Sequence, residues 1–151
     1  MSSRDNAFDS EKRTYTTEKW FTIFKLSTKF RCLKLRKEAL RSLESGWFRV
    51  NKNLEFPTPI KLLKMGRSLW VQKWVVFGYA ALVERERAIS EEEMLEIGSV
   101  EAFRLMRIRE KRKACVEFNI QRAVRQVFQK EIARIAAEEK KCEFIETPRS
   151  S

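Results

Sequence analysis

The chain has 151 residues, which is enough for one domain with its own core, and its apolar fraction of 43% excludes a fully disordered protein. Four glycines and three prolines are too few for the many turns of a β-rich fold, so the composition favours helices. The 32 basic and 21 acidic residues give a net charge of +11, which suits a soluble helical protein and can also attract anionic partners.

The first 16 residues lack apolar periodicity and are predicted to be a disordered N-terminal segment. Thr16 or Thr17 can cap a first helix, and Glu18 suits its first turn. A second helix is predicted from about residue 31 to residue 45, with Gly46 as its left-handed cap.

Residues 47–59 are predicted to form a loop. Aromatic side chains in a loop need not pack inward, so Trp47 and Phe48 are candidates for an interaction surface. Pro59 could occupy the first turn of a third helix, which should end near residue 69. A fourth, over about residues 71–86, is apolar on most sides and is predicted to be the central helix.

The clearest local signal is Ser90 followed by three glutamates, which predicts a capping box between Ser90 and Glu93. This short helix should end at Gly98, and Ser99 should cap the next helix, with Phe103 among its inward side chains.

Residues 99–143 contain neither proline nor glycine, and apolar residues recur there mostly every three or four positions. This spacing predicts one long amphipathic helix, or two helices with a kink. We therefore expect an all-α fold: a compact array of five to six helices over residues 17–110, a long amphipathic C-terminal helix over 111–146, and a disordered tail over 147–151. The apolar stripe of the terminal helix adds four candidate contact residues: Val124, Val127, Phe128 and Ile135.

The sequence shows no catalytic constellation. The chain has no histidine, the commonest general base and metal ligand near neutral pH. Cys32, Cys115 and Cys142 are far apart and form no CxxC pair, so we expect free thiols, no metal, no cofactor, and a cytoplasmic or nuclear protein. No signal peptide and no membrane span are predicted. The sequence thus predicts a protein without enzymatic activity.

The basic, aromatic-rich stretch from Lys19 to Lys37 resembles, in isolation, a helix that binds nucleic acid or a membrane surface. Aromatic stripes at helical spacing are usually core, so this interpretation remains the alternative. A nucleic-acid surface would use Lys25, Lys29, Arg31, Lys34, Arg36 and Lys37, or the residues from Arg104 to Lys113.

An ordered set of segments resembles the helical region that follows the BTB/POZ domain in BTB-domain proteins of mushroom-forming fungi. The segments are KWFTIFKLSTKF, LKLRKEALRSL, and the stretch from FPTPIKLLKMGRSLWV to FRLMRIRE, over residues 18–110. The family's usual tyrosine before the valine–tryptophan pair is replaced by Leu69 and Trp70, and a BTB domain would be expected before Trp20. The resemblance implies a protein-interaction module, scaffold or adaptor, and it carries over no site residue.

The first functional prediction is therefore a non-enzymatic module that binds a protein partner or self-associates. The alternative is a basic helical protein that binds nucleic acid.

Overall fold

A computed structural model of the chain describes residues 15–48 and 55–143. Within these ranges it contains eight α-helices and no strand, so the predicted all-α class is confirmed. The helices form two compact units, one containing α1 and α2 and the other, residues 57–141, containing α3 to α8. Their bounds are α1 Thr17–Lys29, α2 Leu33–Phe48, α3 Pro59–Leu69, α4 Gln72–Glu84, α5 Glu91–Ile97, α6 Ser99–Ala114, α7 Ile120–Val127 and α8 Gln129–Lys141.

Helices α1 and α2 pair as a helical hairpin. Helix α1 begins at the predicted cap Thr16, whose side chain accepts a hydrogen bond from the Lys19 amide at 3.2 Å. A short turn then leads into α2, with Arg31 in the left-handed region at a φ of 56°. Phe24, Leu43 and other large side chains are buried within this unit.

The predicted end of the second helix at Gly46 is wrong. Helix α2 continues through the buried Gly46 and ends at Phe48. Trp47 lies 5.6 Å from the Phe21 ring and donates its indole N–H to the Glu55 carbonyl at 3.0 Å. Burying a large ring whose polar atom is satisfied outweighs the cost of about 1 kcal/mol for a glycine within a helix.

Helix α4 is the centre of the second unit, as predicted, because it contacts α3, α6, α7 and α8. Its Tyr79 ring stacks on Phe128 with 3.9 Å between centroids. Helices α3 and α4 approach each other closely at two glycines. A Cβ atom on Gly66 would lie 2.9 Å from Val75, and one on Gly78 would lie 3.0 Å from the Leu63 Cβ atom. Close helix packing therefore requires both glycines.

The predicted capping box at the start of α5 is confirmed. The Glu93 amide donates to the Ser90 hydroxyl at 3.2 Å, and the Ser90 amide donates to the Glu93 carboxylate at 3.0 Å. The next cap differs from the prediction, because Gly98 caps α6 and Ser99 is its first residue. Gly98 has a φ of 112°, a backbone conformation that side chains disfavour, so the corner between α5 and α6 uses the glycine.

The single amphipathic helix predicted over residues 111–146 is wrong. The stretch contains the end of α6 and two further helices, and the predicted boundary at residue 110 falls inside α6. The chain is extended at Cys115, and Asn119 caps α7 by accepting from the Arg122 amide at 3.0 Å. A second break follows at Phe128. Two short helices bury their apolar faces in the core, which a straight helix longer than the core could not do.

The predicted disordered segments, residues 1–16 and 147–151, lie outside the described residues except for Tyr15 and Thr16. The Tyr15 ring lies 5.1 Å from that of Trp20, so residue 15 already takes part in packing. Among the described residues, no helix is both long and apolar enough to cross a bilayer.

Candidate interaction surfaces

A hydrogen-bond network between α3, α4 and α8 holds the second unit together. The Tyr79 hydroxyl donates to the Glu131 carboxylate at 2.6 Å and accepts from the Arg67 guanidinium, which also donates to the Ile97 carbonyl at 2.8 Å. Burial, followed by the hydrogen bond to Glu131, raises the pKa of Tyr79 above its ordinary value. Tyr79 therefore stays protonated, and its role is to cross-link helices.

Two arginines of α6 donate hydrogen bonds to backbone carbonyls at the C-terminal end of α4. Arg109 donates to the carbonyls of Leu82 and Arg85, at 2.5 and 2.8 Å, and Arg112 donates to the Glu84 carbonyl at 2.8 Å. Carbonyls at a helix end lack partners within the helix and carry partial negative charge, so guanidinium groups stabilise them. Arg109 and Arg112, two cations of the predicted nucleic-acid stretch Arg104–Lys113, thus bind backbone carbonyls of the protein itself.

Arg85 also forms a bidentate ion pair with Glu93 in the second unit. Its guanidinium contacts the Glu93 carboxylate through two bonds, at 2.5 and 2.8 Å. This hydrogen bonding, with the contribution of the Ser90 amide, lowers the pKa of Glu93 to about 2. The strongly perturbed carboxylate therefore belongs to a structural contact between α4 and α5.

The structure buries most of the predicted apolar contact residues. Trp47 is 2% exposed, and the side chain of Phe48 lies outside the described part of the chain. In the second unit Val124, Phe128 and Ile135 belong to the core, so their prediction as exposed contact residues is wrong. The breaks in the terminal helix turn these side chains inward. Of the four predicted in this region, Val127 alone is exposed.

An exposed face of α6 was not predicted. Four exposed residues of α6 share one face, because Val100 lies three and four positions before Phe103 and Arg104, which in turn lie four and three positions before Arg107; we call this set the α6 patch. Phe103 is 60% exposed, which contradicts its predicted inward position. Beside the patch, a shallow depression of about 270 Å³ is lined by Arg104, Val127 and neighbouring residues of α7 and α8.

The residues buried on the inner face of α6 explain why Phe103 is exposed. Ala102, Leu105 and Ile108 are buried at successive spacings of three. Phe103 lies two positions before Leu105, which places it on the opposite side of a helix with 100° per residue. The spacing of Ala102, Leu105 and Ile108 indicates the buried face. The sequence alone did not reveal it, because four apolar residues within positions 103–108 are spread around the helix.

Five of the six basic residues predicted for a nucleic-acid surface are exposed: Lys25, Lys29, Arg31, Lys34 and Lys37. The exception is Arg36, which is 3% exposed. It donates to the Thr28 hydroxyl at 3.1 Å and lies over the Phe24 ring at 4.9 Å, so its prediction as a surface residue is wrong.

Exposed apolar side chains accompany these cations at the turn between α1 and α2. Leu26, Phe30 and Leu35 are 49%, 68% and 42% exposed. We refer to these three residues together with Lys25, Lys29, Arg31 and Lys34 as the turn cluster. Within the described residues, no carboxylate lies within ion-pair distance of its four cations.

No group of three or more cysteine or acidic side chains in the described ranges is arranged to hold a metal ion. Comparisons with family models, with curated proteins and with solved structures find no match to this chain.

Proposed function

We propose that this protein is a non-enzymatic protein-interaction module whose second unit binds a partner through the α6 patch. The exposure of Phe103 carries the proposal. A phenylalanine with most of its surface in water gains free energy when a partner covers it, and fully burying such a side chain is worth about 1.5–3 kcal/mol. Val100 lies one turn away, and Leu95 on α5 is 85% exposed.

The chemistry of the titratable groups supports a role without catalysis. The chain contains no histidine. Tyr79, Glu93 and Arg109 have displaced pKa values, and each is held by hydrogen bonds that join helices. Glu93 does line a depression of about 510 Å³, but its carboxylate is bound there by Arg85 and by the Ser90 amide, whereas a catalytic group must be available to a substrate.

The charges of the α6 patch indicate the chemistry of its partner. Arg104 and Arg107 are exposed beside Phe103, and Lys111 continues the same face one turn later. A partner segment with apolar side chains flanked by aspartate or glutamate would cover the phenylalanine and neutralise these cations. An amphipathic acidic helix meets both requirements.

The resemblance to the helical region of fungal BTB-domain proteins is compatible with this role. Its segments fall on α1 to α6, in the order typical of that family. BTB proteins generally self-associate and some recruit cullin ubiquitin ligases, but both properties belong mainly to the BTB domain. An in-frame segment encoding such a domain upstream of Met1 in the transcript would support membership; a transcript without one would count against it.

Site-specific photocrosslinking tests the proposed surface. Phe103→benzoylphenylalanine, expressed in the source cells, should cross-link to a discrete protein that mass spectrometry can identify. A matched probe at Lys73, which is exposed on α4 and does not line the depression beside the patch, should not yield the same product. The identified partner is then purified and its affinity for the full chain is measured.

The double variant Val100→Ser Phe103→Ser should weaken that affinity at least about tenfold, because two apolar contacts are lost. Leu26→Ser Leu35→Ser removes two exposed apolar side chains from the other unit and should leave the affinity unchanged. Equal loss in both variants, or no loss in the first, would contradict the α6 patch as the binding surface. Circular dichroism verifies that both variants remain helical.

A further inference from the structure

The turn between α1 and α2 combines a basic run without acidic residues with exposed apolar side chains. Between Glu18 and Glu38 there is no acidic residue, and seven basic ones occur: Lys19, Lys25, Lys29, Arg31, Lys34, Arg36 and Lys37. In the second unit four basic residues pair with glutamates, namely Lys64, Arg67, Arg85 and Arg87, and Glu110 interrupts the basic stretch from Arg104 to Lys113.

The apolar members of the turn cluster lie among its four cations, Lys25, Lys29, Arg31 and Lys34. Phe30 caps α1 and is flanked by Lys29 and Arg31, while Leu26 and Leu35 lie in the adjoining helical turns. A core does not explain them, since all three are exposed. Any ligand that covers this site must therefore accept apolar side chains and several positive charges within a short distance of one another.

We propose that the turn cluster docks on the surface of a membrane rich in anionic lipids. The headgroups of such lipids carry the negative charge, and the acyl chains directly beneath them accept Phe30, Leu26 and Leu35. A protein partner would need a pocket shaped to each protruding side chain, whereas a fluid lipid layer adapts to them. Nucleic acid offers phosphates and a stacking surface for Phe30, but nothing comparable for two leucines.

This docking is peripheral and reversible. Each lysine near an anionic surface strengthens binding by about fivefold, which corresponds to about 1 kcal/mol. The triple variant Lys25→Gln Lys29→Gln Lys34→Gln should therefore bind about 100-fold more weakly. Arg31 is best left unchanged, because it occupies the left-handed backbone conformation of the turn.

Sedimentation of the full chain with vesicles provides the test. Vesicles of phosphatidylcholine mixed with phosphatidylserine should bind the protein, while vesicles of phosphatidylcholine alone should not. The control Lys111→Gln Lys113→Gln Lys130→Gln removes the same charge from exposed positions of the second unit and should retain most of the binding. Equal loss in both triple variants would show attraction by net charge alone and would overturn the proposal.

Insertion of Phe30 needs a separate measurement, because electrostatic attraction alone does not require it. Phe30→Trp should become quenched by brominated lipids beyond the quenching of the four native tryptophans in the parent protein. Phe30→Ser should bind anionic vesicles about tenfold more weakly, in line with the partial burial of one aromatic side chain. Absence of extra quenching would refute insertion. Tighter cluster-dependent binding to single-stranded DNA than to anionic vesicles would identify nucleic acid as the ligand instead.

Discussion

Replacement of Gly78 by alanine separates two opposing effects in α4. Alanine is a better helix former than glycine by about 1 kcal/mol, so local propensity alone predicts a more stable protein. The added Cβ atom would however lie 3.0 Å from both the Leu63 Cβ atom and the Pro59 carbonyl oxygen. Unstrained carbon contacts are about 3.5–4.0 Å, so α3 and α4 would have to separate by at least several tenths of an ångström.

Overpacking of this kind costs about 1–3 kcal/mol. The cost should lie in the upper part of that range, because the obstructing atoms belong to or adjoin the backbone and cannot rotate away. We expect Gly78→Ala to lower the free energy of unfolding by about 1–2 kcal/mol. Urea titration followed by circular dichroism at a helical wavelength measures it.

Ala80→Gly calibrates the propensity term within the same helix and should lower stability by about 1 kcal/mol. If Gly78→Ala raised stability by about the amount that Ala80→Gly lowers it, the two helices would not be in close contact at this point. The inferred packing of the second unit would then be wrong.

Three further substitutions test the polar contacts. Because the pKa of Glu93 falls from its ordinary 4.5 to about 2 on folding, its contribution to stability is complete above pH 4.5 and is lost as the pH falls toward 2. After allowance for solvent screening, this contribution is about 1–2 kcal/mol. Glu93→Gln should therefore flatten the acid limb of a curve of unfolding free energy against pH. Tyr79→Phe should cost about 1–3 kcal/mol, because it removes the hydroxyl that joins the charged side chains of Arg67 and Glu131, whereas Tyr15→Phe should stay within about 0.5 kcal/mol in thermal or urea unfolding. Arg109→Met should cost about 1–3 kcal/mol in urea unfolding, and an unchanged midpoint would show that the α4 carbonyls do not depend on it.

The parts of the fold that local chemistry determines were predictable. Thr16 and Ser90 cap helices because a short hydroxyl side chain before an apolar run can satisfy a backbone amide without help from distant residues. The all-α class followed likewise from the scarcity of glycine and proline. These features need only neighbouring residues, so the sequence contains all the information required to predict them.

The end of α2 and the breaks around α7 depend on distant contacts. Gly46 is a local signal for a helix end, but the hydrogen bond from the Trp47 indole to the Glu55 carbonyl favours continuation of the helix. The break before Asn119 carries no proline or glycine, and helix propensity favours continuation by only tenths of a kcal/mol per residue. Packing of Val124 and Phe128 into the core outweighs that preference.

The orientation of α6 shows why the candidate surface was harder to predict than the fold. Phe103, Leu105 and Ile108 together span more than one face, so periodicity alone allows several rotations of the helix. Arg109 removes the ambiguity, because its guanidinium must reach the carbonyl end of α4. That requirement turns Leu105, one turn earlier, toward the core, and it leaves Phe103 facing solvent. The exposed phenylalanine on which the proposed function depends thus faces solvent because Leu105 and Arg109 on the same helix face the core and the end of α4.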